Sequence, residues 1–180
     1  MLFLCLPTIM WLQSGEKWGK VLKIPLNAHF EHCQRRERRP VPVTGEYEHT
    51  IDAKGRLAIP SRLRDELGSV FYVTLSMDRC LAAYSAENWQ KFSDKVDAMP
   101  FVKQRKMRPL FAFAARCEVD GQGRILLPQN LREYAGLEKA VTVVGCNNHA
   151  ELWDSASWSE QHAIEMTPEN IAAVMEELEI

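Results

Sequence analysis

The stretch Ile51-Asp52-Ala53-Lys54-Gly55-Arg56-Leu57-Ala58-Ile59-Pro60 returns 68 positions later as Val119-Asp120-Gly121-Gln122-Gly123-Arg124-Ile125-Leu126-Leu127-Pro128. The same spacing maps Leu63-Arg64 onto Leu131-Arg132, Gly68 onto Gly136, and Val73-Thr74-Leu75 onto Val141-Thr142-Val143. One residue then enters the second copy, so that Tyr84 aligns with Trp153 and Trp89 with Trp158. Self-similarity at a fixed offset marks a duplicated structural unit and decides the architecture before any single element does.

Each copy carries the same local instructions. A short strand (48–51; 117–119) runs into Asp-x-x-Gly. Asp suits the first position of a tight turn, and Gly suits the position that needs a positive φ, which identifies Asp52, Gly55, Asp120 and Gly123 as turn-forming. A second strand follows at 56–59 and 124–127, alternating apolar and outward residues. Pro60 and Pro128 fit the first turn of a short helix, with Gly68 and Gly136 at its end. A hairpin comes next: 71–75 with 80–84, and 140–144 with 150–153. A helix starting near Ala86 or Ser155 closes the unit. Forty-odd residues rarely bury a sufficient core alone, so the two units are expected to complete one core between them.

From the end of the first repeat onward, Trp89, Phe92, Val96 and Met99 form an apolar stripe at helical spacing in 87–113, a segment punctuated by Pro100 and Pro109. The acidic end forms a further helix over 171–178, with Pro168 near its start. The domain organisation read from this is an extension at 1–43, repeat 1 at 45–91, a helical linker at 92–114, repeat 2 at 115–158 and an acidic helical tail at 159–180. The extension is expected to be disordered or not native. Its cluster Arg35-Arg36-Glu37-Arg38-Arg39 is the one place in it suited to a flexible DNA-binding arm.

Composition narrows the class. The formal net charge is −2, with 22 Lys and Arg against 24 Asp and Glu. Seven of the basic groups but only three of the acidic ones lie in the first 42 residues, so the body carrying the repeats is acidic. Any nucleic-acid surface on it must be a local concentration of cations. The five cysteines are odd in number and none is in C-x-x-C spacing, which reads as a reducing cytosolic protein with small buried thiols. No apolar stretch reaches the roughly 18–20 residues of a membrane span. Met1–Leu12 is apolar but lacks the basic start and cleavage site of a signal peptide.

Chemical motifs are sparse. His29, His32 and Cys33 lie close together without a fourth ligand, so no metal site is expected. His49 and His149 read as ordinary polar residues. The phosphate-binding glycine loops, G-x-S-x-G and H-E-x-x-H are absent from the sequence. No catalytic residue, enzyme activity or cofactor is expected. Trp89, Trp153 and Trp158 read as packing residues.

Gly45-Glu46-Tyr47-Glu48-His49-Thr50-Ile51-Asp52-Ala53-Lys54-Gly55-Arg56 resembles the opening of MraZ proteins. The second D-x-x-G-R after Cys117-Glu118, and Glu151-Leu152-Trp153-Asp154, resemble that family's second half. The resemblance covers Gly45 to Trp158. It implies an α+β, mainly β fold: two tandem SpoVT-AbrB-like units forming an interleaved, swapped-hairpin barrel with flanking helices. It also implies a cytoplasmic, nucleoid-associated regulator. Such a protein represses the division and cell-wall gene cluster by binding direct repeats in its own promoter as a ring-shaped homo-oligomer.

That function assigns roles to named cations. Arg56, just after the first turn, has the planar fork that bonds guanine O6 and N7 together. Lys54, Arg62 and Arg64 suit phosphate oxygens, which fix register without reading sequence. In the second copy Gln122 stands for Lys54, and Gln129 and Asn130 stand for Ser61 and Arg62; only Arg124 and Arg132 persist. The first repeat is therefore expected to carry most of the DNA contact. Asp52 with Arg56, and Asp120 with Arg124, are also expected to pair across their turns. The competing class is an AbrB-like antitoxin or scaffold acting through a protein partner.

Overall fold

A computed structural model describes residues 42–179 of the chain. The expectations placed on 1–41, including the arginine cluster and the group His29, His32 and Cys33, lie outside the described residues. From the N-terminal side the elements are β1 (Val43–Thr50), β2 (Arg56–Ala58), α1 (Ser61–Leu67), β3 (Val70–Leu75), β4 (Leu81–Ser85), α2 (Ala86–Asp97) and α3 (Phe101–Ala112). The second half runs β5 (Ala115–Glu118), β6 (Arg124–Leu126), α4 (Gln129–Tyr134), β7 (Ala140–Asn147), β8 (Ala150–Asp154), α5 (Ser155–Glu165) and α6 (Pro168–Glu177).

The fold is α+β, and its strands exchange between the repeats. A six-stranded antiparallel sheet has the order β1-β7-β8-β4-β3-β5, and β2 and β6 form a separate two-stranded ribbon. Each repeat contributes a local hairpin, β3–β4 or β7–β8. Each then receives the leading strand of the other copy on its flank: β1 on β7, β5 on β3. The two strands flanking each Asp-x-x-Gly turn are thus not a hairpin. Ile51 and Leu57 meet in one isolated bridge, and the rest of each strand pairs across to the opposite repeat. The observed hydrogen bonding ends on β1 and β5 and does not include a closing pair between them.

Two pairings place the internal symmetry. Leu57 faces Ile125, its own equivalent 68 residues on, and Ala82 faces Glu151, its equivalent 69 residues on. An approximate two-fold axis therefore passes between the members of each pair. The register also corrects one part of the repeat alignment. Phe71 pairs with Cys117 as Val141 pairs with His49, so β3 maps onto β7 at an offset of 70. Val141-Thr142-Val143 corresponds to Phe71-Tyr72-Val73, not to Val73-Thr74-Leu75. The extra length enters before β7. A two-residue slip leaves every side chain on its original face, so apolar alternation alone cannot detect it.

One core serves both copies. Leu57, Leu63, Phe71, Val73 and Leu81 from the first repeat cluster with Ile125, Leu131, Val141, Val143 and Leu152 from the second, all at 0–1% exposure. Fully burying each such side chain contributes roughly 1.5–3 kcal/mol. Cys80 and Cys117 are buried free thiols, held up at about 12 and about 11 by burial.

The helices follow local chemistry. Ser85 and Asp154, at matching ends of β4 and β8, cap α2 and α5. The Ser85 hydroxyl accepts from the Asn88 N–H, and the Asp154 carboxylate accepts from the N–H groups of Ala156 and Ser157. Pro100 divides the predicted helical segment into α2 and α3. The α2 stripe packs as expected: Trp89 stacks on Tyr72 at 5.4 Å, and Phe92 stacks on Tyr84 at 5.8 Å and on Phe111 of α3 at 5.7 Å.

Candidate nucleic-acid interface

The two Asp-x-x-Gly turns are built alike. Asp52 Oδ1 accepts from the backbone N–H groups of Lys54 (2.9 Å) and Arg56 (3.0 Å), and Asp120 Oδ1 accepts from those of Gln122 and Arg124 (both 2.9 Å). The Gly55 N–H closes the first turn on the Asp52 carbonyl at 2.8 Å, and Gly123 repeats this on Asp120 at 2.9 Å. Gly55 and Gly123 have φ of 78° and 77°, the left-handed region that the turn requires.

The second carboxylate oxygen holds an arginine, and here the copies differ. Arg56 donates from Nε to Asp52 Oδ2 at 2.7 Å. Arg124 donates from both Nε (3.0 Å) and Nη2 (2.8 Å) to Asp120 Oδ2. Arg56 is thus oriented through Nε, with no bond to either terminal nitrogen among the described residues, whereas Arg124 has committed one of them. These donors hold the carboxyl of Asp120 down at about 2, with the Arg124 side chain the largest cause. Asp52 is lowered as well, chiefly by the Arg56 backbone N–H.

The ribbon brings these arginines together. Arg56 lies opposite Leu126, and Ala58 lies opposite Arg124. Leu57 and Ile125 point into the core, so Arg56, Ala58, Arg124 and Leu126 share the outer face. The two arginines sit diagonally on it, where ideal strand geometry separates neighbours by roughly 7–8 Å, within reach of two long side chains. The major groove of B-DNA is wide enough to admit a two-stranded β-ribbon.

The remaining cations sort by position. Lys54 is exposed at the first turn, and Arg62 is exposed on α1. Arg64 and Arg132 each lie over the glycine of the opposite turn. A Cβ built on Gly123 would lie 2.9 Å from the Arg64 Cζ, and one on Gly55 would lie 3.0 Å from the Arg132 Cζ. Each guanidinium therefore packs flat on the turn of the opposite repeat, bracing it across the axis. Arg132 Nε also donates to the Leu127 carbonyl at 3.2 Å, while Arg64 Nε is buried without a partner among the described residues.

Two features escaped the sequence. Leu126 is 62% exposed on the ribbon face, the outward position that alternation gives it, yet as an apolar residue it does not stand out in the sequence as part of a surface. Lys103, Arg105, Lys106 and Arg108 are all exposed on α3, a run of cations overlooked because that segment was read for its apolar stripe.

A tandem α+β repeat with exchanged strands, presenting two cross-braced arginine turns on one ribbon, is the class of protein that this fold and site define. The MraZ protein family model, whose description likens the family to antitoxins, matches residues 43–108 and again 110–176. The chain is 48% identical to the transcriptional regulator MraZ of Acetivibrio thermocellus over 135 residues, 73% of this chain and 94% of that protein. It is 44% identical to the protein of the same name from Caldicellulosiruptor saccharolyticus over 140 residues, 76% of this chain and 98% of that one. The relative from Moorella thermoacetica is 48% identical over 119 residues, 64% of this chain and 83% of its own length. The chain belongs to the MraZ family.

Proposed function

We propose that this chain is a sequence-specific DNA-binding transcriptional regulator that reads the major groove with the β2–β6 ribbon. The observation that carries the reading is the pair of Asp-anchored arginines on one outward ribbon face. Arg56 contacts a base edge. Lys54 and Arg62 contact phosphates. Arg124 makes a weaker contact, and Arg64 and Arg132 stiffen the turns. The first repeat, 45–91, does most of the reading, and the second, 115–158, mainly supports it. The relatives named as transcriptional regulators support this assignment.

The finer role follows the family resemblance. The chain acts in the cytoplasm, at the nucleoid, as a repressor of the division and cell-wall gene cluster. It binds direct repeats in its own promoter as a ring of identical copies. No helix of the described residues is long and apolar enough to cross a membrane. The exposed apolar residues Ile164, Met166, Ile171, Val174 and Met175 on and between α5 and α6, with Leu178 just after α6, suit self-assembly. An acidic protomer with few phosphate contacts binds weakly alone. A ring on repeated sites gains about 10²–10⁴-fold in avidity without new contact types.

The test is a titration of a labelled duplex from upstream of the chain's own gene, at several salt concentrations. An unrelated duplex and an Arg56→Ala variant are run beside it. Specific binding that falls steeply with salt and is lost in the variant supports the regulator. Equal weak binding to both duplexes, unchanged by Arg56→Ala, moves the function to a protein partner.

A further inference from the structure

At the tip of the β7–β8 hairpin, far along the chain from the arginine turns, three residues of different chemistry converge. Asn147 adopts φ 63°, and the Cys146 N–H bonds the His149 carbonyl at 2.8 Å, a tight reversal that sets Cys146 beside His149. Val144 lies opposite Glu151 in the register, so Cys146, His149 and Glu151 all project from one face of the hairpin. A thiol sulfur, an imidazole nitrogen and a carboxylate oxygen are thereby brought within 4.8 Å of one another, with all three side chains half-buried.

The surroundings orient each donor. His149 Nδ1 is 2.7 Å from Asn148 Oδ1, a carbonyl oxygen that can only accept, so Nδ1 carries the hydrogen. The other ring nitrogen, Nε2, faces Glu151 Oε1 at 3.4 Å. A hydrogen on Nε2 joins the two directly; without one, Nε2 and Oε1 are two lone-pair donors aimed at the same point, which a cation can bridge. The other carboxylate oxygen, Oε2, accepts from the Trp153 indole N–H at 2.9 Å, which turns Oε1 toward His149, and the same carboxylate also accepts from the Cys146 thiol. Tyr84 stacks on the imidazole at 5.0 Å and holds its plane. Outer groups that fix the tautomer and aim the donors are what metal-binding histidines and carboxylates use.

We propose that Cys146, His149 and Glu151 form a binding site for a borderline-soft divalent cation of the zinc class, with a fourth position open to water or another ligand. The mixed S, N and O donors select zinc or cobalt over magnesium or calcium, which take oxygen alone. Metal–donor bonds of about 2.0–2.3 Å put neighbouring tetrahedral donors roughly 3.3–3.7 Å apart. The three donors here lie within 4.8 Å of one another, with the imidazole and carboxylate at 3.4 Å, so small side-chain rotations bring them to that spacing. The bound ion clamps the hairpin tip, which also receives the Asn88 side-chain amide of α2 on the Asn148 carbonyl at 2.6 Å. The sequence pattern is C-x-x-H-x-E, which a search confined to cysteine pairs passes over.

The test uses the full chain, reduced and stripped of metal, with Zn²⁺ as the probe. Alkylation followed by peptide mass reads Cys146 alone, whatever Cys5 and Cys33 do. Zn²⁺ is expected to slow the labelling of Cys146 about tenfold or more, because the bound thiolate no longer attacks, while Mg²⁺ has no effect. Co²⁺ is expected to give a thiolate charge-transfer band that persists in Cys33→Ser and disappears in Cys146→Ser. Unchanged labelling of Cys146 at saturating Zn²⁺ overturns the proposal, as does a cobalt band that survives Cys146→Ser. The labelling arm needs no variant, so it decides the matter even where a substitution unfolds the hairpin.

Discussion

The guanidinium of Arg132 occupies the space that a side chain on Gly55 would need, 3.0 Å from the position of its absent Cβ. Arg64 stands in the same relation to Gly123. Each repeat thus holds the other's Asp-x-x-Gly turn in shape, and the two glycines are required twice, by their positive φ and by the arginine above them.

Gly55→Ala and Gly123→Ala should each destabilise the fold by about 1–3 kcal/mol, the cost of a strained left-handed residue. The displaced guanidinium adds to this. Urea unfolding would show it as a lower midpoint at unchanged slope. A midpoint within error of the parent would mean that the turns relax without cost.

Arg56 and Arg124 are symmetric in position and unequal in commitment. Arg56→Ala should weaken specific binding by about 1–3 kcal/mol and relax the base preference at one position. Arg124→Ala should cost clearly less, since one of its terminal nitrogens is already bonded to Asp120. Equal losses in a fluorescence titration would show that both repeats read DNA alike. Arg56→Lys should behave nearly like Arg56→Ala, because an ammonium cannot make the forked contact.

Acid should loosen the turns late. The Asp120 carboxyl falls from 3.8 to about 2 on folding, so its contribution is fully present above pH 4. It is lost as pH drops toward 2, when protonation removes the acceptor for Arg124. Asp52 is lowered in the same direction. In Asp120→Asn the fall in unfolding midpoint between pH 4 and 2 should be shallower than in the parent.

Substituting Val174→Asp together with Met175→Asp should lower the assembly mass in sedimentation while leaving circular dichroism unchanged. Both residues are exposed on α6, at 54% and 48%. An unaltered mass would place the self-contact elsewhere, with the exposed apolar pair Phe101 and Val102 of α3 next to be tested.

Leu57 and Ile125 face each other at the two-fold axis with 0% and 1% exposure. Truncating either to Ala should cost about 2–5 kcal/mol, the usual loss for a large buried aliphatic residue. Unfolding should stay a single transition, since both repeats share the core. Two separate transitions would show that the repeats fold independently.

Much of this was legible in one dimension. The duplication, the turns at Asp52–Gly55 and Asp120–Gly123, the hairpins and the helix starts follow from local rules that act within a few residues, so the amino-acid order alone determined them. Arg56 and Lys54 stood out for the same reason: the residues around them specify their turn. Longer-range facts were out of reach. Which strand pairs with which depends on the packing of two nearly identical hairpins, and a two-residue slip in β3 against β7 preserves every face. Arg64 reads as a phosphate ligand and Arg132 as its counterpart in the second copy, and nothing nearby in sequence reveals that each lies on a glycine of the opposite repeat. Only the tertiary structure decided that, by bringing residues some 60 to 80 positions apart into van der Waals contact. It also decided the Cys146, His149 and Glu151 cluster, because donors on one hairpin face become a site only when the reversal at Asn147 sets them side by side.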